Sequence, residues 1–148
     1  MSDWESVKKW MHPKTIVSAD LSIKRVAEIM VERDIGSVIV AFENKEIGML
    51  TERDILKKVI AKGLDVNKAK AKDVMASPLI TIGDDASIWD AAELMSKYHI
   101  RRLSVKDKKG EIIGILTTRT ISDALPVISK LEESSHLRTK LKRMAHKE

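Results

Sequence analysis

The 148 residues include no cysteine and no glutamine, aromatic residues make up 3%, and the apolar runs extend only a few residues. Without cysteine there are no disulfides, no thiolate nucleophile and no cysteine metal site. Without a long apolar run there is no membrane-spanning helix. The stretch Met1 to Met11 is polar, with two Trp and two Lys, and lacks the apolar core of a signal peptide; this predicts a cytoplasmic protein with no membrane partner. So few aromatics argue against base stacking on nucleic acid. The missing glutamine, with asparagine only at Asn44 and Asn67 and 33% charged residues, points to a thermophilic source.

Catalytic signals are missing too. There is no Gly-Lys-Ser/Thr phosphate loop, no nucleophile–base pair, and no metal spacing around His12, His136 or His146. The expectation is a non-enzymatic protein with no required cofactor. The composition is globular, 43% hydrophobic with a formal charge of +5. From Lys130 onward there are six basic and three acidic residues, so the excess concentrates in the tail. That tail reads as a solvated helix face, or alternatively as an adaptor surface for nucleic acid or a regulated protein.

An internal repeat organises the rest. A shift of 65 superposes Pro13 on Pro78, Asp20 on Asp85, Ser22-Ile23 on Ser87-Ile88, Ala27-Glu28 on Ala92-Glu93, Met30 on Met95 and Val40 on Val105. One extra residue in the second copy then makes it 66, matching Ile47-Gly48 to Ile113-Gly114, Leu50-Thr51 to Leu116-Thr117 and Arg53 to Arg119. Each copy begins with an extended segment. A helix follows, capped around Ser22 or Ser87, with apolar residues at three- and four-residue steps (Ile23, Val26, Ala27, Met30; Ile88, Ala91, Ala92, Met95). Two strands joined by a polar turn and a closing helix complete a β-α-β-β-α unit. The methionines read as core. Each half alone is too short to bury much surface, so the halves are expected to pair. The organisation predicted is a helix at 1–10, repeats at 11–62 and 75–127, a linker at 63–74, and a basic helix at 128–148 that starts afresh at Pro126.

The chemistry-bearing segment is Gly48 to Asp54, where a strand gives way to a helix. Free N–H groups and the helix dipole attract phosphate there. The Thr51 hydroxyl suits a phosphate or sugar oxygen, Arg53 neutralises phosphate, and the Asp54 carboxylate accepts from both hydroxyls of a vicinal diol such as a ribose. Thr51 with Asp54 equally forms a capping box, serving only the helix start. His99 reads as a half-buried structural histidine and Trp89 as a packing or dimer contact.

These motifs resemble the CBS domain, named after cystathionine β-synthase. The resemblance rests on Met11-His12-Pro13 and Met75-Ala76-Ser77-Pro78, the Ala27/Met30 and Ala92/Met95 helices, and a closing Gly-x-x-Thr-x-x-Asp pattern. The first copy satisfies that pattern at Gly48, Thr51 and Asp54; the second keeps Gly114 and Thr117 but has Thr120 in place of the acid. The resemblance implies an α+β fold in which two β-α-β-β-α repeats pair through their sheets into one pseudo-two-fold module with N- and C-terminal helices. It implies a sensor that binds AMP, ADP, ATP or S-adenosylmethionine as a regulatory ligand in a cleft between the repeats, and a homodimer forming a four-repeat disc. Carried over by position, Asp54 would hold the ribose, Thr51 and Arg53 would sit near sugar or phosphate, and Lys14, Thr15, Ile16, Gly36, Ser37 and Val38 would line the same cleft. A second, weaker site would comprise Leu79, Ile80, Thr81, Arg101, Arg102, Leu103, Thr117, Arg119 and Thr120. Neighbours on a strand point to opposite faces, so Arg101 and Arg102 cannot both enter it.

Overall fold

In the computed structural model, residues 1–145 are described; His146, Lys147 and Glu148, which the sequence reading placed in the basic tail, lie outside the described residues. The chain is α+β and forms two compact units. The first is Pro13–Ile80, and the second joins Met1–His12 to the chain from Thr81 onward.

In the first unit, β1 (Ile16–Ser18) runs parallel to β2 (Ser37–Phe42), which pairs antiparallel with β3 (Lys45–Thr51). A two-residue turn makes the hairpin: Glu43 and Asn44 both take positive φ, 48° and 62°, the geometry that matches the twist of the flanking strands. Helix α2 (Ile23–Glu32) starts on Ser22, whose hydroxyl accepts from the Arg25 N–H at 3.2 Å, and buries Ile23, Val26 and Met30. These cover Val17, Val38, Val40 and Leu50 on one sheet face. Burying each such side chain contributes about 1.5–3 kcal/mol relative to leaving it in water. Helix α3 (Glu52–Ile55) continues as a wider turn over Leu56–Ile60 and brings Val59 to the same core.

In the second unit, β4 (Thr81–Gly83) lies parallel to β5 (Arg102–Lys106), and β5 pairs antiparallel with β6 (Ile112–Thr117). Helix α5 (Ile88–Tyr98) is capped by Ser87, with the reciprocal bond from the Ser87 N–H to Asp90 at 2.9 Å. It buries Ile88, Ala91 and Met95.

The segment preceding each repeat folds onto the other repeat. Helix α1 (Val7–Trp10) buries Val7 in the second unit, and His12 exchanges two backbone hydrogen bonds of 2.8 Å with Ile115 of β6. Helix α4 (Ala71–Val74) belongs to the first unit, where Ala76 exchanges bonds of 2.8 and 3.0 Å with Met49 of β3. Gly48 and Gly114 make this approach possible. A Cβ on Gly48 would lie 2.6 Å from the Met75 sulfur and 2.8 Å from the Ala76 carbonyl; one on Gly114 would lie 2.7 Å from the Met11 sulfur and 3.0 Å from the His12 carbonyl. The stretch 63–74 read as a linker therefore contributes Ala71 and Val74 to the first core.

Other details also differ from the sequence reading. No new helix starts at Pro126: α6 runs unbroken over Thr118–Ala145 with the proline inside. Proline removes one helical hydrogen bond, but buried Thr120, Ile121 and Ala124 before it and Ile128 after it hold both sides to the unit. Met30 and Met95 are core, whereas Met1 and Met144 are exposed. His99 is exposed, ending α5 with φ 53°. No helix of the described residues is long and apolar enough to cross a membrane.

Candidate functional site

Parallel pairing starts β1 and β2 at the same sheet end, and the antiparallel β3 finishes there. The register sets Ile16 beside Ile39 and Ser37 beside Thr51. Two backbone bonds stitch the junctions, Ile39 N–H to Thr15 O at 2.8 Å and Glu52 N–H to Gly36 O at 3.0 Å. Thr15, Gly36, Ser37, Thr51 and the first turn of α3 thus converge.

Asp54 sits on that turn with its side chain 19% exposed. Its Oδ2 accepts from both the backbone N–H and the hydroxyl of Thr51 at 3.0 Å, and the Thr51 hydroxyl accepts from the Asp54 N–H at 3.2 Å. The capping box is formed. It occupies one carboxylate oxygen and leaves Oδ1, which faces Lys58 Nζ at 3.3 Å and keeps lone pairs for further donors. Lys58 is fixed by donating to the Val74 carbonyl at 3.0 Å. Arg33 Nη1 stands 3.5 Å from the Thr15 hydroxyl, adding a cation at the start of β1.

Not every expected residue serves in the same way. Lys14 turns to Glu46 in an ion pair. Val38 is buried in the core, which leaves only its backbone for a ligand. Ile16 and Arg53 are exposed. Lys58, four residues from Asp54, was open to detection by helical spacing; Arg33 and Glu46 carry no local signal.

The second unit repeats the scaffold with other chemistry. Arg102 pairs with Thr117 in register, and the Thr118 N–H bonds Arg101 O at 2.9 Å, as Glu52 does to Gly36. Thr120 is 5% exposed. Its hydroxyl lies 2.9 Å from the Thr117 hydroxyl and 2.9 Å from His12 Nε2, and its N–H donates to Thr117 at 3.1 Å. In the sequence His12 stands in the Met11-His12-Pro13 motif, and nothing local links it to Thr120, 108 positions away. Arg101 and Arg119 are exposed and Leu103 is core, while the Arg102 Nε and Ser104 hydroxyl are buried without partners. Leu79 and Ile80 fall in the first unit and Thr81 begins the second.

An apolar groove of about 450 Å³ lies elsewhere on the first unit, between α2 and the turn after α3, lined by Ile23, Ala27, Val31, Ile55, Ile60 and Val66. None of the expected ligand residues borders it. Among the described residues no group of three His, Asp or Glu is arranged to hold a metal ion.

Repeat architecture, paired closing motifs and sheet-end convergence define a class, the tandem β-α-β-β-α module. The family model of the CBS domain matches residues 7–61 and 71–127, and the chain belongs to that family. It is 35% identical over 127 residues to an uncharacterized protein of Methanocaldococcus jannaschii, covering 83% of this chain and 68% of that one. Among solved structures it resembles the CBS domain pair of protein MJ0100 in complex with 5′-methylthioadenosine and S-adenosyl-L-methionine, at 29% identity and TM-score 0.71 over 81% of this chain and 98% of that one. It also resembles CBSX2 in complex with AMP, at 26% identity and TM-score 0.68 over 84% of this chain and 98% of that one.

Proposed function

We propose that this chain is a non-catalytic regulatory module that binds an adenosyl ligand (AMP, ADP, ATP or S-adenosylmethionine) at the sheet end of its first repeat. The observation that carries the reading is the half-buried Asp54 carboxylate, with Oδ2 held by Thr51 and Oδ1 left to accept. A carboxylate already locked in place loses little freedom on accepting ribose hydroxyls. Backbone groups from Thr15 to Ile16 and from Gly36 to Val38 suit the base edge, and Arg33, Arg53 and Lys58 suit phosphate. The AMP, S-adenosylmethionine and methylthioadenosine in the similar structures support this ligand class. The second repeat, with a hydroxyl in place of the carboxylate, binds more weakly.

Isothermal titration of the full chain with AMP, ATP and S-adenosylmethionine tests the proposal. At least one is expected to bind at one equivalent. Asp54→Ala should weaken it by about tenfold or more, the scale of a charge-assisted hydrogen bond, and Thr120→Ala should leave it nearly unchanged. Because Asp54 also caps α3, the melting temperature of the variant is measured alongside. No binding by the folded wild type, or equal binding by a folded Asp54→Ala, overturns the reading.

A further inference from the structure

Two donors in the second unit are buried with nothing to bond. The Arg102 Nε and the Ser104 hydroxyl have no hydrogen-bond partner, and Ser104 is 0% exposed. The two residues stand two apart on β5, so both side chains leave the same sheet face, opposite to Leu103 and Val105. Among the described residues Arg102 forms no ion pair. A donor buried and unmet costs more than a made hydrogen bond contributes, and more again when it is charged. A stable sheet alone does not call for either group: the counterpart of Ser104 in the first repeat is the fully buried Ile39.

The register shows what stands around them. Thr81, Ser104 and Ile115 lie side by side across the sheet, with Arg102 beside Thr117 nearer its end. The same places in the first unit hold Ile16, Ile39 and Met49, with Ser37 beside Thr51. An apolar floor suited to a base is thus replaced by a largely polar one, and the carboxylate suited to a ribose by Thr120. The charge is of one sign. Segments 81–82, 99–104 and 115–122 carry Arg101, Arg102 and Arg119 and no Asp or Glu. The first acid along α6, Asp123, is exposed and forms no ion pair among the described residues. Helix α6, 28 residues long, starts at Thr118 beside this face, and its free N–H groups and dipole favour an anion. In the His12 tautomer protonated at Nε2, the ring donates to Thr120, Thr120 donates to Thr117, and Thr117 keeps its hydrogen for a ligand. A guanidinium, two hydroxyls and a helix start match the several acceptor oxygens of a phosphate. We propose that the sheet end of the second repeat binds a phosphate oxyanion through Arg102, Ser104, Thr117 and the start of α6, as a ligand separate from the adenosyl ligand of the first repeat.

The proposal rests on reading both sheet ends as ligand sites, and a probe without adenosine separates its failure from that of the adenosyl reading. The full chain is titrated calorimetrically with pyrophosphate and with ribose 5-phosphate, each with and without excess adenosine. At least one is expected to bind at one equivalent whether or not adenosine is present, and the tighter of the two tells an inorganic anion from a phosphate on a carbon skeleton. Arg102→Met should weaken that binding by about tenfold or more. Ser104→Ala should weaken it several-fold while the free protein's melting temperature holds or rises, because the change deletes an unmet hydroxyl and little packing. A serine serving only the fold would not lose affinity while keeping stability. Three results each overturn the proposal: neither anion binding the wild type, the anion binding equally to folded Arg102→Met or, where that variant does not fold, to Ser104→Ala, or the anion binding only when adenosine is left out.

Discussion

The two units share a backbone plan and differ at the residue three places after the last strand's threonine. In the first unit that residue is Asp54, with one carboxylate oxygen on Thr51 and the other facing Lys58. In the second it is Thr120, a buried hydroxyl satisfied by Thr117 and His12. The scaffold therefore does not dictate the chemistry: both side chains bond the threonine that caps the closing helix, but only the carboxylate keeps charge and spare acceptors after doing so. A second contrast lies further along. The first unit's closing helix ends at a turn through Gly63 at φ 69°, whereas the second unit's runs on for 28 residues.

The largest expected effect tests what the units share. Gly48→Val and Gly114→Val each force side-chain atoms into the segment crossing the sheet edge, and a crossing backbone cannot step aside as a flexible side chain can. Overpacking of this kind costs about 1–3 kcal/mol, and Gly48, with the nearer carbonyl, should show the larger loss in urea denaturation. If both variants keep wild-type stability, the glycines are not what admits the crossing segments.

Next in size is an attempt to erase the difference. Thr120→Asp puts a carboxylate beside the Thr117 hydroxyl, at the position that Asp54 holds beside the Thr51 hydroxyl. His12 Nε2, 2.9 Å from the present hydroxyl, becomes its partner in the way Lys58 serves Asp54. If the missing carboxylate is what weakens the second site, the number of adenosyl ligands bound per chain should rise from one toward two by titration calorimetry. A stoichiometry fixed at one would shift the cause to Arg101, Arg102 and Ser104, which replace Gly36, Ser37 and Ile39 of the first repeat.

Much of this comparison was legible in the sequence because it rests on local signals. Ser22 and Ser87 announced two helix starts, and the Ile23-Val26-Met30 and Ile88-Ala91-Met95 spacings announced their buried faces. Thr51 and Asp54 announced the strand–helix junction, and their spacing fits both a capping box and a diol-binding pair. The pairing of each leading segment with the opposite repeat was hidden, because the backbone bonds His12–Ile115 and Met49–Ala76 carry no side-chain code. Gly48 and Gly114 hinted at a close approach without saying by what. Pro126 misled because a helix break was inferred from one residue, while burial on both sides of it outweighs one lost hydrogen bond. The His12–Thr120 contact spans 108 positions and has no local signature.

The smallest effect separates the units by the physics of one carboxylate in each. Asp20, in the first unit, is held below the ordinary carboxylate range by the hydrogen bond and then the charge of Lys72, 3.0 Å away, with Lys70 adding a little. Glu5, in the second, is lowered by the Ser2 backbone N–H first, then the Ser2 hydroxyl and the Trp89 indole, with the charge of the N-terminal ammonium adding least. Both groups have folded values below their unfolded ones. Each therefore contributes stability above the unfolded value, and that contribution is lost as pH falls through the folded one. Both are exposed, so the contribution is slight and best read by NMR titration of the carboxyl carbons. The two causes respond differently to salt: an exposed charge pair is screened, whereas a hydrogen bond from a neutral donor is not. Molar salt, or Lys72→Met, should move the Asp20 midpoint up toward its ordinary value, and molar salt should leave Glu5 low. If both midpoints rise together in salt, the lowering of Glu5 is a charge effect after all, and the two carboxylates do not differ in kind.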